Sequence, residues 1–165
     1  MPGKLNSRPQ YRRPIQRGET TGAQVPGVRY GTLDDLLGYA LRRAQIRIYE
    51  DFLEALSSWS ITPPRFSAMT IIANNPGMKL TELAAAMGIA RSGAVTVVNA
   101  LEKLGFISRK DSSIDKRAHA LALSAQGEKA LIEITQAIRL HDERISARLT
   151  AEDQVELRRL LGLLG

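Results

Sequence analysis

The sequence predicts a mainly helical protein with one small β-hairpin, arranged as a winged helix-turn-helix. Two short helical segments are joined by the tight turn Met87-Gly88-Ile89, the spacing of a helix-turn-helix. A charged loop on two short apolar strands follows directly. Longer amphipathic segments rich in Leu, Ile and Ala lie on both sides, and 165 residues are enough for one domain with its own core.

The first 28 residues differ in composition from the rest of the chain. They contain four prolines and four glycines, and they carry +4 of the total net charge of +6. A segment with so few apolar residues does not fold alone. We therefore expect residues 1–28 to be a basic flexible arm and residues 29–165 to be the folded domain. The arm is either a solvated leader or a segment that lies along phosphates or in a minor groove.

The folded domain begins with helical segments. Apolar residues recur at threes and fours across residues 32–58, which predicts one long amphipathic helix with Thr32 as its cap. A second helix is expected with Thr62 as its cap, because Pro63 suits a first helical turn and Asn75-Pro76-Gly77 is a strong stop signal.

Two short helices come next, and each of them ends at a glycine, Gly88 or Gly105. After the hairpin, Ser124 is a candidate cap for a long helix, and Thr150 with Asp153 predicts a capping box for the last helix. The predicted order is four helices, a hairpin and two helices.

The second helix of the short pair has an unusual outward face. Ala94, Val98 and Leu101 are spaced to face inward. The opposite side carries small residues and short hydrogen-bonding side chains, which suit a helix that enters the major groove and contacts base edges. The candidate contact residues on this recognition helix are Arg91, Ser92, Gly93, Val95, Thr96, Asn99 and Lys103.

The loop of the hairpin is strongly charged, and its position after the recognition helix predicts a wing. A wing projects cations towards the neighbouring minor groove or phosphates. A solvated surface hairpin is the alternative for such a loop found alone. The candidate wing residues are Arg109, Lys110, Asp115, Lys116 and Arg117.

The balance of charge agrees with a polyanionic partner. The chain has 23 Lys and Arg against 17 Asp and Glu and a pI near 10.0, which suits either nucleic acid or an acidic membrane surface. A membrane surface is disfavoured because no segment pairs a bulky apolar face with a basic one. The first thirty residues also lack the apolar run of a signal peptide, so we expect a cytoplasmic protein.

The segment "NPGMKLTELAAAMGIARSGAVTVVNALEKLGFISRKDSSIDKRAHALALSAQGEKAL" resembles the MarR family of winged-helix transcription regulators. "LEKLGFISR", "DKR" and "LSAQGEKAL" are diagnostic in combination, and the resemblance extends from Leu33 to Leu164. It implies an intertwined homodimer on pseudopalindromic double-stranded DNA, with dimerisation helices at 32–58 and 125–164. The DNA-binding lobe would be 62–123.

The resemblance also implies individual roles. Arg117 matches the wing-tip arginine of the minor groove, and Asp115 matches the acid that orients it. Ser92, Gly93, Val95 and Thr96 fall where the family makes base and phosphate contacts.

The chain departs from the family at two positions. The family often has arginines where this sequence has Thr96 and Ala100. Phosphate contacts would therefore depend more on other cations, which are Arg91, Lys103, Arg109, Lys110 and the basic arm. The outward Val95 also suits contact with a thymine methyl group.

The first helix carries arginines and tyrosines in "GYALRRAQIRIYEDF". Tyr39, Arg42, Ile46 and Tyr49 lie along one line of this helix, and Arg43 and Arg47 lie along the next. They indicate either solvated charges and dimer salt bridges, or a cleft for an apolar ring bearing an acid or phosphate. "LGYALRRAQ" is similar to MarR regulators that respond to hydroxycinnamoyl-CoA thioesters, which implies an aromatic acid or its CoA thioester as a small-molecule effector. The candidate effector residues are Tyr39, Arg42, Arg43, Ile46, Arg47 and Tyr49.

Other function classes find little support. The sequence has no Cys and only two histidines, His119 and His141, and no spacing suits a metal site, a triad or a phosphate-binding glycine loop. We expect no enzymatic activity, no cofactor and no metal, and a solvated His141. The alternative left open is a sequence-independent architectural DNA-binding protein without an effector.

Overall fold

The computed structural model describes residues 24–111 and 119–164, and it shows six α-helices and two strands there. The predicted order of elements is confirmed. The chain forms two compact units, one ending at Arg47 and one beginning at Ile48. The elements are α1 (Leu37–Ala55), α2 (Pro63–Asn74), α3 (Leu80–Ala86), α4 (Arg91–Lys103), β1 (Ile107–Asp111), β2 (His119–Leu123), α5 (Ala125–Ser146) and α6 (Ala151–Leu161).

The expected continuous helix over 32–58 is wrong in detail. A 3-10 turn at Gly31–Asp35 comes first, Leu36 is extended with φ −92° and ψ 119°, and α1 begins only at Leu37. Thr32 lies inside the 3-10 turn and is not a cap. Apolar spacing continues through the break, so periodicity alone does not reveal it.

The helix α2 starts where the sequence predicts, but the predicted capping hydrogen bond is not formed. Thr62 is the N-cap residue and the prolines occupy the first turn, yet the Thr62 hydroxyl makes no capping hydrogen bond. Pro63 restricts φ to helical values. The proline therefore contributes more to this helix start than the threonine side chain does.

The core of the second unit is built by α2, α3, α4, β2 and α5 together with the residues that follow α1. Its large side chains are excluded from solvent almost completely, and each contributes roughly 1.5–3 kcal/mol by burial. The most deeply buried are Leu56, Ile61, Met69, Ile72, Leu83, Val98, Leu101, Leu121 and Ile134.

The two strands form an antiparallel hairpin in which Ile107 pairs with Leu123 and Arg109 with Leu121. Residues 77–79 extend the sheet on the other side of β2, because the Gly77 amide donates to the Leu121 carbonyl (3.0 Å) and the Leu121 amide donates to the Met78 carbonyl (3.0 Å). β2 is thus paired along both of its edges, with β1 on one side and residues 77–79 on the other.

The start of α5 is fixed to the base of the hairpin. Ser124 Oγ accepts from the Gly127 amide (2.9 Å) and donates to the Gly105 carbonyl (2.5 Å), so the predicted cap is confirmed. A Cβ at Gly127 would lie 2.0 Å from the Phe106 carbonyl oxygen. Only glycine permits this close approach of α5 to the chain entering β1.

The last helix, α6, starts at the predicted capping box, since the Thr150 amide donates to Asp153 Oδ2 (3.0 Å) and the Asp153 amide donates to Thr150 Oγ1 (3.1 Å). None of its residues is buried. The apolar side chains of α6 are exposed, namely Val155, Leu157, Leu160 and Leu161. Leu163 and Leu164, which follow the helix, are exposed as well. An apolar surface of this kind is typical of an interaction face.

Within residues 24–111 and 119–164, no single helix is long and apolar enough to span a membrane. Only α3 and α4 taken together meet that length and composition, and they are bent by 109°. Leu83, Val98 and Leu101 of this pair are buried in the core.

Candidate nucleic-acid interface and ligand cleft

The helix pair α3–α4 has helix-turn-helix geometry. The bend of 109° between the two helices lies in the usual range of this motif. Gly88 turns the chain with φ +63°, and the Ile89 amide donates to the Ala84 carbonyl (3.1 Å). A positive φ favours glycine, which explains why the turn contains one.

The outward side of α4 is open to solvent, as its sequence pattern predicts. Ala94, Val98 and Leu101 are completely buried. Gly93 and Val95 are half-buried at the edge of this surface. The predicted contact residues that are exposed are Arg91, Ser92, Thr96, Asn99 and Lys103.

The wing starts immediately after α4. The Phe106 amide donates to the Leu101 carbonyl (2.9 Å), so the strand leaves directly from the last turn of the helix. Arg109 and Lys110 lie in β1. The other predicted wing residues, Asp115, Lys116 and Arg117, lie outside the described residues.

A groove of about 490 Å³ runs beside α4, and it contains a cation that the sequence analysis missed. Arg65, from the first turns of α2, borders this groove, and its Nη1 donates to the Ser60 carbonyl (2.6 Å). An isolated arginine after two prolines gives no periodic signal, so only the packing of α2 on α4 reveals it. The groove is lined by Arg65, Thr96, Asn99, Ala100, Lys103 and Leu104.

A second cleft, of about 250 Å³, lies in the first unit. It brings together three of the predicted effector residues, Tyr39, Arg43 and Arg47. The other three, Arg42, Ile46 and Tyr49, are not among the lining residues. Leu33, Asp34, Ala40 and Gln24 complete the lining.

Arg43 contacts two neighbouring tyrosine rings at this cleft. Its guanidinium carbon is 5.3 Å from the ring centre of Tyr30 and 5.5 Å from that of Tyr39, within the range of a cation–π interaction. The two ring centres are 6.1 Å apart. Tyr30 was missed by the sequence analysis because it precedes the first periodic residue.

Hydrogen bonds hold the polar groups of the cleft in place. Arg43 Nη1 donates to the Tyr39 hydroxyl over 3.4 Å. This bond, with the nearby Tyr30, raises the pKa of Arg43 above its ordinary value despite the opposing effect of desolvation. Gln24 Nε2 donates to Asp34 Oδ1 (2.7 Å), and the Val25 amide donates to the Tyr30 hydroxyl (3.1 Å). The segment before α1 therefore forms one wall of the cleft through Gln24, Leu33 and Asp34.

The expectation of a solvated His141 is wrong. His141 is 4% exposed, its Nδ1 lies 2.6 Å from Asp51 Oδ1, and its ring packs edge-on against Phe52. Arg144 Nη2 donates to the same carboxylate oxygen (2.8 Å). Burial raises the pKa of Asp51, but the hydrogen bonds from Arg144 and His141 outweigh burial and lower it overall.

No group of His, Asp and Glu side chains suited to a metal ion occurs in the part of the chain that the structure describes. Two sites in the described residues contain side chains that the sequence predicts to bind a ligand, namely the exposed face of α4 with its groove and the tyrosine–arginine cleft. The first suits contact with a polyanion, and the second suits an aromatic ligand with an acidic group.

Comparison with known proteins agrees with this architecture. The profile of the MarR family matches residues 61–119. The protein assigned as transcriptional regulator of the hcr operon in Thauera aromatica is 36% identical over 149 residues, covering 90% of this chain and 88% of the relative. The transcriptional repressor Rv2887 of Mycobacterium tuberculosis is 32% identical and covers 82% and 98%.

Solved structures extend the comparison. The transcriptional repressor CouR bound to a 23-mer DNA duplex superposes with a TM-score of 0.77 at 35% identity, covering 82% of this chain and 96% of that chain. CouR bound to p-coumaroyl-CoA gives 0.76 at 34% identity, covering 82% and 95%. Rv2887 in complex with salicylic acid gives 0.61 at 32% identity, covering 79% and 96%.

These relatives are transcriptional regulators rather than enzymes, which agrees with the prediction that the chain has no catalytic activity. Their similarity extends beyond the helix-turn-helix to most of both chains. The chain therefore belongs to the MarR family of transcriptional regulators.

Proposed function

We propose that the protein is a homodimeric repressor that binds a pseudopalindromic operator and is released by an aromatic acid or its CoA thioester. The observation that carries the DNA-binding part is the outward side of α4. That side is solvent-exposed and carries short hydrogen-bonding side chains, and the strands of the wing follow it directly. Side chains of this kind reach base edges in a major groove without steric conflict.

In this proposal the exposed face of α4 reads bases and the cations around it bind phosphates. Ser92, Val95, Thr96 and Asn99 would contact base edges. Arg91, Lys103, Arg109, Lys110 and Lys116 would contact the backbone, with Arg117 in the minor groove oriented by Asp115. The CouR–DNA complex supports this assignment, because CouR has the same fold at 35% identity.

The terminal helices would form the dimer interface. The apolar side chains of α6 find no cover within one chain, and a second copy would bury them. A twofold axis places two copies of α4 on one duplex, and the operator would then be pseudopalindromic.

The tyrosine–arginine cleft is the proposed effector site. Arg43 and Arg47 carry two positive charges against one negative charge on Asp34, so the lining is net positive and suits an anion. Tyr39 adds aromatic surface for a ring, and Tyr30 lies behind the lining with its ring centre 6.1 Å from that of Tyr39. CouR bound to p-coumaroyl-CoA and Rv2887 bound to salicylic acid support an aromatic acid as the ligand class.

The size of the cleft defines which part of a thioester would enter it. About 250 Å³ lies below the roughly 300–1,000 Å³ of pockets that enclose drug-sized ligands. An aromatic acyl group would fit, and the nucleotide part of CoA would lie outside, near Arg42 and Arg47. Ligand binding would favour a conformation whose two α4 helices no longer match the operator.

The DNA-binding part is tested by selecting duplexes from a random pool with the full-length protein. We expect enrichment of a sequence with twofold symmetry, and competition by random duplex only at a large excess. If random duplex competes as well as the selected sequence, the protein is an architectural DNA binder and the repressor proposal is wrong.

The effector is tested by calorimetry with p-coumaroyl-CoA, feruloyl-CoA, the free acids, salicylate and CoA alone. We expect binding of an aromatic acid or thioester but not of CoA, and the same ligand should displace the selected duplex in a fluorescence anisotropy titration. Absence of binding by every aromatic compound would contradict the effector class.

A matched pair of variants tests the cleft itself. Arg43→Ala removes the guanidinium that contacts both tyrosine rings, whereas Arg42→Ala removes a neighbouring exposed arginine that does not line the cleft. We expect Arg43→Ala to lower the affinity for the aromatic acid strongly. Arg42→Ala should bind the acid with an affinity near that of the unaltered protein. Equal losses would place the ligand elsewhere on α1.

A further inference from the structure

We infer that Arg65 binds a backbone phosphate of the DNA and supplies part of the phosphate contact that α4 lacks. This inference rests on the proposed DNA-binding function. It adds a residue from α2 that neither the sequence pattern nor the family resemblance identified. The groove beside α4 is the structural feature that carries it.

The position of Arg65 is the first argument. Arg65 lines the same groove as Thr96, Ala100 and Lys103. Thr96 and Ala100 are uncharged, so Lys103 is the one cation that α4 contributes to the lining of this groove. A cation from α2 therefore lies next to the place where cations from α4 are missing.

The charge of the groove is the second argument. Its lining contains two cations, Arg65 and Lys103, and no acidic side chain. The other polar groups of the lining are the Thr96 hydroxyl and the Asn99 amide. A phosphate that enters here would meet positive charge without an opposing carboxylate on the groove wall.

The way Arg65 is held is the third argument. Its Nη1 donates to the Ser60 carbonyl (2.6 Å), and Ser60 itself is in the left-handed region with φ 54°. Guanidinium has five N–H donors in a planar fork, so one bond to the backbone still allows a two-point contact with phosphate oxygens. Part of the ordering of this long side chain is already present without DNA.

The same phosphate chemistry has a second source, the nucleotide part of a CoA thioester. DNA is favoured because Thr96, Asn99 and Lys103 of the lining belong to the exposed face of α4 proposed to contact the duplex. The cleft proposed for the aromatic group lies in the other unit and shares no lining residue with this groove. The experiment therefore titrates both ligands.

The test compares Arg65→Gln with the unaltered protein, Arg65→Lys and Arg139→Ala. Gln keeps an N–H donor for the Ser60 carbonyl but removes the charge, whereas Lys keeps the charge. Arg139→Ala removes one charge from an exposed position on α5 as the matched control. Circular dichroism at equal protein concentration verifies that each variant is folded.

Binding to the selected operator and to a random duplex is measured from 0.05 to 0.3 M salt. One lost phosphate contact reduces the slope of log K against log salt by about 0.9 per subunit, or about 1.8 per dimer. At about 0.15 M salt this corresponds to roughly fivefold weaker binding per subunit, or roughly 30-fold per dimer. We expect these losses for Arg65→Gln on both duplexes, most of the slope to remain in Arg65→Lys, and no change in Arg139→Ala.

Three outcomes would overturn the inference. Arg65→Gln with an unchanged salt slope shows that Arg65 does not contact phosphate. Equal slope losses in Arg65→Gln and Arg139→Ala show that only total charge matters. If Arg65→Gln binds p-coumaroyl-CoA more weakly but keeps the salt dependence of DNA binding, the groove binds the effector and not DNA. Failure to select any operator contradicts the proposed repressor function instead, and the random duplex still tests Arg65.

Discussion

The close approach of Gly127 to Phe106 makes a sharp prediction about stability. In Gly127→Ala the new Cβ would lie 2.0 Å from the Phe106 carbonyl oxygen and 2.8 Å from its carbonyl carbon, where real Cβ contacts are essentially never shorter than 3.0 Å. The backbone of α5 or of Phe106 must therefore move by about an ångström. Such a shift disturbs the bonds that join Ser124 to Gly105 and Phe106.

The expected magnitude follows from three opposing contributions. Overpacking in a close contact costs about 1–3 kcal/mol, and loss of one or two hydrogen bonds adds about 1–2 kcal/mol. The higher helix propensity of alanine returns up to about 1 kcal/mol. We expect a net loss of about 2–3 kcal/mol in the free energy of unfolding, and a melting temperature lower by about 5–10 °C for a chain of this size.

The assay is thermal unfolding followed by circular dichroism at one fixed protein concentration, with Gly38→Ala as the control. Gly38 is also helical, but nothing lies within 4 Å of its Cβ position, so this substitution should leave the melting temperature unchanged or raise it slightly. A Gly127→Ala protein that melts with the unaltered one would refute the proposed packing of α5 against the start of β1.

Four further predictions concern the core, the Asp51 carboxylate with its partners His141 and Arg144, and the DNA contacts. Leu101→Ala, which empties a completely buried position of α4, should cost about 2–5 kcal/mol in a denaturant titration. Asp51→Asn should lower stability by about 1–2 kcal/mol at neutral pH, after allowance for the partly exposed carboxylate. Because the folded-state pKa of Asp51 is lowered from 3.8, its contribution is present above that value and is lost as the pH falls through the folded-state pKa. Denaturant titrations at pH 7 and pH 3 should therefore show a smaller difference at pH 3, and an equal difference would contradict the ion pair. Arg117→Ala should weaken operator binding by about 1–3 kcal/mol in a titration at fixed salt, and unchanged affinity would exclude this arginine from the mechanism. Deleting residues 1–28 should flatten the salt dependence of DNA binding, because this segment carries most of the excess charge, and an identical slope would show that the arm does not contact DNA.

The order of elements could be predicted because most of its signals are local. Ser124 and Thr150 cap the helices that follow them, as expected from their positions and from Asp153 three residues later. The inward and outward sides of α4 also follow from residue spacing within one helix. Capping and periodicity involve residues within about one or two helical turns, so a single sequence contains the necessary information.

The errors and omissions arise where distant contacts decide. His141 has a charged neighbour in sequence, but its partner Asp51 lies 90 residues away. Arg65 is isolated in sequence and gains its significance only because α2 packs beside α4. Tyr30 lies outside the helix pattern and reaches Arg43 only because the segment before α1 folds back. In each case the informative contact joins elements, and no local pattern reports it.

The exposed apolar face of α6 has a consequence for how the proposed dimer would come into existence. No residue of this helix is buried in one chain. A newly synthesised polypeptide would therefore complete its folding only on association with a second copy. Mature repressors would then exchange partners slowly, because separation would expose the apolar side chains of α6 on both copies to water. A DNA-binding-defective variant expressed in the same cell would form mixed, inactive dimers with newly synthesised functional chains. Dimers assembled beforehand would remain active until cell growth diluted them.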